Sequence, residues 1–152
     1  MCPSSLRDAV RLRVPAEVRY LSLIRSVVET LARGADIEDE DVYKIELAVD
    51  EACTNVIEHA YRSTAPKPPL ELEIRLAPEQ MVVDILDQGQ SFDFDAYTAP
   101  VLPDHWLQGQ TRGVGLYLIR KCMDDAKYER AGNANRLRMT KNLHRVVTAS
   151  GV

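Results

Sequence analysis

Glu38-Asp39-Glu40-Asp41-Val42-Tyr43-Lys44-Ile45-Glu46-Leu47-Ala48-Val49-Asp50-Glu51-Ala52-Cys53-Thr54-Asn55-Val56-Ile57-Glu58-His59-Ala60-Tyr61 is the stretch from which the rest of the chain can be placed. Its acidic opening suits the positive end of a helix dipole, and Val42, Ile45, Val49, Ala52 and Val56 recur at the spacing of one helix face. A helix reaching about Tyr61 is predicted. At about 100° per residue, Glu51 and Asn55 share a face with Glu58 nearby and the apolar arc of Ile45, Val49 and Ala52 to one side. A polar stripe therefore borders the core. On its own such a pair is also what an ordinary solvated helix face carries, so its meaning depends on what surrounds it.

Upstream, Val10 to Val14 reads as a short strand, and Pro15-Ala16-Glu17 opens a helix in which Leu21, Ile24, Val28 and Leu31 recur until Gly34. Downstream, the three prolines of Ser63 to Pro69 exclude helix and predict a surface loop. Leu70 to Leu76 alternates apolar and polar residues, Ala77 to Gln80 reads as a turn, and Met81 to Leu86 as the returning strand of a hairpin. From Asp87 to Arg112 the periodicity stops, and a loop that long in a compact domain reads as a lid. A glycine-opened helix, Gly113 to Met123, is followed by strands around Ala126 to Arg130 and Arg136 to Leu143. One domain of residues 1–152 is expected, with its core at about 10–143 and a flexible tail at 144–152.

The chain has 152 residues, 45% hydrophobic and 28% charged, the balance of one globular domain. With 19 Lys+Arg against 23 Asp+Glu, the net charge of -4 provides no field to hold a polyanion, so direct nucleic-acid binding is not expected. No apolar run approaches the roughly 20 residues of a membrane span, and Met1 to Asp8 lacks the apolar core of a signal peptide. A cytoplasmic protein without membrane attachment is expected. Cys2, Cys53 and Cys122 lack the paired spacing of a zinc or redox motif and read as reduced thiols, the last two buried.

Leu86-Asp87-Gln88-Gly89 ends an apolar strand on a carboxylate and then a glycine that admits a close backbone approach, although a simple β-turn uses the same residues. Gly113-Val114-Gly115-Leu116 opens a helix whose free N–H groups suit phosphate, or only a tight turn. An ATP pocket needs an acceptor for the adenine amino group, donors for phosphate, an oxygen ligand for Mg²⁺ and a base for an acceptor hydroxyl. Asp87, the Gly113/Gly115 turn, Asn55 and Glu51 supply these in turn.

Glu51-Ala52-Cys53-Thr54-Asn55 with His59-Ala60-Tyr61, then Asp87-Gln88-Gly89-x-x-Phe92-Asp93, then Gly113-Val114-Gly115-Leu116-x-Leu118-Ile119 with Met123-Asp124-Asp125 and Tyr128, resembles the anti-sigma-factor serine kinases of bacteria. These are Bergerat-fold (GHKL-type) ATPases, alongside histidine kinases, DNA gyrase and mismatch-repair ATPases. The resemblance runs from about Val14 to Leu143 and implies an α/β (α+β) two-layer sandwich, a mixed and mostly antiparallel sheet covered on one face by helices. It further implies that Glu51 is the general base, Asn55 the Mg²⁺ ligand and Asp87 the adenine-reading carboxylate, while Gly89, Gly113, Val114, Gly115 and Leu116 shape the pocket and cradle the phosphates. Near Gly132 to Leu137 many relatives carry a threonine that assists adenine binding, where this chain has Asn135.

The function implied is an ATP- and Mg²⁺-dependent protein-serine/threonine kinase that phosphorylates a STAS-type anti-anti-sigma protein and sequesters a sigma factor, acting as a homodimer with the first strand and helix at the interface. A non-catalytic nucleotide-binding sequestering module is the alternative, as is a related switch kinase that activates a phosphatase. A histidine kinase fits less well, because no dimerising phosphoacceptor helix pair precedes the ATP motifs. His59 reads as a phosphate contact or a structural residue, Arg112 as a γ-phosphate contact or an exposed lid arginine, and Trp106 as a partner contact or a lid anchor.

Overall fold

The computed structural model describes residues 8–91, 94 and 112–147. Most of the expected lid, with Trp106, and residues 148–152 of the expected tail lie outside the described residues, as do Cys2, Phe92 and Asp93. Five strands form one sheet: β1 (Ala9–Val14), β2 (Leu70–Leu76), β3 (Gln80–Asp87), β4 (Asp125–Ala131) and β5 (Ala134–Asn142). Their spatial order is β1-β2-β3-β5-β4 and every pairing is antiparallel, which narrows the mixed sheet expected from the resemblance. Two of the four pairings, β2-β3 and β4-β5, are hairpins. The second turns on Gly132 at a φ of 63°, which glycine adopts without steric cost.

Three helices cover one face: α1 (Leu21–Gly34), α2 (Asp39–Asn55) and α3 (Arg112–Cys122). Pro15 to Glu17 lead into a short 3₁₀ turn, Val18–Tyr20, rather than directly into α1. The left-handed residue that turns the chain out of α1 is Asp36, two positions beyond Gly34. Leu21, Ile24 and Val28 of α1, with Val42, Ile45 and Val49 of α2, are buried against Leu72, Ile74, Val83, Ile85 and Met139 of the sheet. Period 3.6 and period 2 thus meet in one apolar layer. Helix α2 does not run unbroken to Tyr61: after Asn55 it widens into a π turn, Val56–Ala60, closed by Tyr61 N–H donating to the Val56 carbonyl at 3.0 Å.

Residues 144–146 depart from the expected loose tail. The His144 backbone N–H and ring Nδ1 both lie 2.9 Å from Asp41 Oδ2, Glu38 N–H donates to the His144 carbonyl, and Val146 N–H donates to the Asp36 carbonyl. Burial alone would push the Asp41 carboxyl up, but these contacts and the charge of Lys141 hold it below its ordinary range.

The outer face of the sheet is ionic. Asp84, fully buried, accepts from Arg75 Nη1 at 2.9 Å and from Arg138 Nε and Nη2 at 2.8 and 2.9 Å, and Arg75 also binds Glu73. Burial opposes ionisation of Asp84, yet the hydrogen bonds from both arginines lower its pKa. Asp84→Ala should cost about 3 kcal/mol of stability, because two arginines lose a buried counter-charge. A lowered carboxyl pKa contributes stability above the unfolded value near about 3.9, and the contribution is lost as pH falls through the folded value. The acid limb of urea midpoints against pH should therefore flatten in the variant; an unchanged midpoint at neutral pH would show that the cluster carries no stability.

Candidate active site

Glu51 and Asn55 both occupy the last turns of α2, four residues apart, so one helix face presents a carboxylate and an amide together. Helix α3 crosses that face at Gly115. A Cβ built there would stand 2.8 Å from Glu51 Oε2, 3.5 Å from Asn55 Oδ1 and 3.6 Å from its Nδ2. The glycine thus lets the α3 backbone lie directly on the two polar side chains. Burial, and then the charges of Asp50 and Glu58, push the Glu51 carboxyl above its ordinary range. A base poised nearer neutrality accepts a proton more readily than an ordinary carboxylate.

Strand β3 ends on Asp87, which is 8% exposed and lines a cavity of about 20 Å³ with Ala52, Asn55, Ala60, Ile85 and Tyr128. Its Oδ1 accepts from Gly89 N–H at 2.8 Å and from Asn135 Nδ2 at 2.8 Å. The following turn is clamped by the π turn: Gln90 N–H donates to the Ala60 carbonyl at 2.9 Å, and Gln88 N–H donates to the Tyr61 hydroxyl at 3.0 Å. Tyr128 on the opposite wall lies against Phe94, whose carbonyl accepts from Arg120 at 2.6 Å.

The structure brings together Glu51, Asn55 and Gly115 on one side, and Asp87 and Gly89 on the other, with Asn55 and Asp87 lining the same cavity. Gly113 and Val114 lie in the first turns of α3, while Leu116 faces the apolar core at 5% exposure. His59 lies in the π turn and Arg112 at the start of α3. Reading the chain residue by residue misses the clamp from Ala60 and Tyr61 and the part played by Arg130. The signal for Arg130 is register: Arg130 pairs Asn135, and Asn135 pairs Asp87, across three strands. Cys53 and Cys122 are buried free thiols whose pKa burial raises, which keeps them protonated.

A wider depression, about 520 Å³, opens on the opposite face of the sheet between Arg75, Lys127, Glu129 and Arg138. Neither Glu51 nor a helix N-terminus lines it. Among the described residues no group of three His, Cys, Asp or Glu side chains could hold a metal ion. Mg²⁺ bound with nucleotide takes most of its ligands from phosphate and water, and the amide oxygen of Asn55 is a hard donor suited to complete such a set.

The family model for the histidine kinase-like ATPase domain matches residues 14–141. The serine-protein kinase RsbW of Bacillus velezensis is 31% identical over 141 residues, covering 90% of this chain and 87% of its own length. That of Bacillus subtilis strain 168 is 31% identical over 143 residues, with the same coverage of 90% and 87%. The chain superposes on the RsbU and RsbW domains of Rv1364c from Mycobacterium tuberculosis with a TM-score of 0.66 at 16% identity, covering 91% of this chain and 32% of that one. It superposes on a chain of the SiaB-SiaC complex of Pseudomonas aeruginosa with a TM-score of 0.63 at 13% identity, covering 86% and 88%. At such identities these two structures speak to the fold.

Proposed function

The chain belongs to the histidine kinase-like ATPase family as one of its serine-protein kinases, and from that premise we propose that it phosphorylates a serine or threonine of a STAS-type anti-anti-sigma protein and, in its other partnered state, sequesters a sigma factor. The observation that supports this best is the contact of Glu51 and Asn55 with Gly115, which sets a desolvated base beside a hard-oxygen donor at the start of a helix. ATP with Mg²⁺ supplies the γ-phosphoryl group and the charge neutralisation that its transfer requires. Asn55 would hold the metal. Asp87 would accept the adenine amino group on its free oxygen, and the α3 N-terminus from Gly113 to Leu116 would present backbone N–H groups to phosphate. Glu51 would take the proton from the acceptor hydroxyl, a step in which position matters as much as basicity.

Exclusive binding of two partners makes such an enzyme a switch. Whichever partner binds more tightly displaces the other, and phosphorylation changes the affinity of one alone. A homodimer through β1 and α1 suits the open edge of β1 and the exposed apolar side chains of Val10, Val18 and Leu23.

The test is transfer of label from γ-labelled Mg·ATP to a STAS-domain protein of the same genome, with complexes followed by size-exclusion chromatography and the modified residue located by mass spectrometry. Label on a Ser or Thr, loss of the STAS complex and capture of sigma would establish the proposal. ATP binding and stable partner capture without label would instead define a non-catalytic sequestering module. Label on a protein whose release activates a phosphatase would define the switch kinase.

A further inference from the structure

We propose that Asn135, held in orientation by Arg130, leaves Asp87 a single free carboxylate oxygen and thereby makes the base pocket select adenine over guanine. The inference rests on Asp87 as the base-reading residue and adds two residues that determine which base is read.

Asn135 is 1% exposed and stands directly across the β3-β5 pairing from Asp87. Its Nδ2 donates to Asp87 Oδ1 at 2.8 Å and to the Gly89 carbonyl at 3.0 Å, so both amide hydrogens are committed. Its Oδ1 accepts from Arg130 Nη1 at 2.9 Å, and the same nitrogen lies 3.2 Å from the Gly89 carbonyl. These partners admit one orientation of the amide. A flipped Asn135 would set oxygen against a carboxylate and a carbonyl, and nitrogen against a guanidinium.

The consequence falls on Asp87. A carboxylate offers two acceptor sites on each oxygen. On Oδ1 the two are taken by Gly89 N–H and Asn135 Nδ2, whereas Oδ2 has no hydrogen-bond partner among the described residues. Adenine presents one exocyclic amino donor beside a ring acceptor, and one free oxygen suffices for it. Guanine presents two adjacent N–H donors that match both oxygens of a carboxylate, together with a 6-oxo acceptor that needs a donor of its own. Here one of the two oxygens is occupied, and Asn135 beside it has both amide hydrogens committed. A site that leaves polar groups of the wrong ligand unpaired rejects it strongly.

The test is the ratio of ATP to GTP affinity, with Mg²⁺ present, measured by calorimetry on the full chain and on Asn135→Ala, Asn135→Ser and Arg130→Ala. Wild type should favour ATP by at least about 100-fold. Asn135→Ala should reduce that ratio by at least about tenfold, chiefly through tighter GTP binding, because Oδ1 regains an acceptor site. Asn135→Ser, which keeps a hydroxyl donor, should restore much of the ratio. Arg130→Ala alters an exposed residue and leaves the fold intact; it should reduce the ratio several-fold by releasing the Asn135 amide. Equal weakening of both nucleotides in Asn135→Ala and Arg130→Ala would make Asn135 a structural residue only and overturn the inference while leaving the kinase reading in place. A wild-type chain that binds neither nucleotide would overturn both.

Discussion

Glu51→Gln should reduce phosphoryl transfer by about 10²- to 10⁴-fold, while nucleotide binding stays within a factor of about three of wild type. The amide keeps the size and hydrogen-bonding reach of the carboxylate beside Gly115 but cannot accept the proton of the incoming hydroxyl. The affinity should be unaffected because Asp87, the proposed base reader, lines a cavity to which Glu51 does not contribute. The same variant has a second expected signature. Burial, with Asp50 and Glu58 adding repulsion, raises the folded-state pKa of Glu51 above its unfolded value. A carboxyl shifted upward contributes stability below the unfolded pKa, near about 4.3, and loses it as pH rises through the folded value. At neutral pH the ionised side chain is therefore a cost that glutamine removes. Glu51→Gln should melt above wild type at pH 7, with the gap closing as pH falls toward 4. A variant inactive in transfer but melting below wild type at pH 7 would mean that Glu51 makes a favourable ionic contact, and that its loss of activity reports damage to the fold.

Gly89→Ala should abolish measurable nucleotide binding, a loss of at least about 100-fold, and lower stability by about 2 kcal/mol. The added methyl would stand 2.4 Å from the Ala60 carbonyl oxygen and 2.7 Å from both its carbonyl carbon and its Cβ. Backbone does not swing aside as a side-chain end can. The turn must lift away from the π turn, which breaks the Gln90-Ala60 hydrogen bond and carries off the Gly89 N–H that orients Asp87. Gly115→Ala provides the contrast, because its methyl would meet the free end of Glu51 at 2.8 Å, and that end can rotate. The fold and nucleotide affinity should survive there while transfer slows. Titration calorimetry and transfer rates on the two variants separate the effects; equal behaviour would refute separate roles for Gly89 in base reading and for Gly115 in transfer.

The helices and the β2-β3 hairpin are legible in the sequence because their apolar periods are clean, as Ile24 and Val28 on α1 and Leu70 to Ile74 on β2 illustrate. The face shared by Glu51 and Asn55 follows from the same arithmetic. The π turn is invisible to a 3.6-residue template, since Val56 and Ile57 fit an uninterrupted α-helix equally well. The Arg130-Asn135-Asp87 chain depends on the register of three strands that no local pattern specifies. His144 reads as the start of a polar tail because its partner, Asp41, lies 103 positions away at the head of α2.

The π turn also bears on how such a chain can diverge. It is the connection between Asn55, at the end of a regular helix, and Ala60 and Tyr61, which grip the turn after Asp87. A π turn spends one residue more than an α turn over the same path. Removing a residue between Val56 and Ala60 would rotate Ala60 and Tyr61 out of phase with the helix before them, whatever side chains they carried. Glu58 points to solvent and can be exchanged, but the number of residues cannot. Descendants of this sequence can respell Glu58, and must keep Val56 and Ile57 apolar and Ala60 small, while the length of the segment is inherited as a unit.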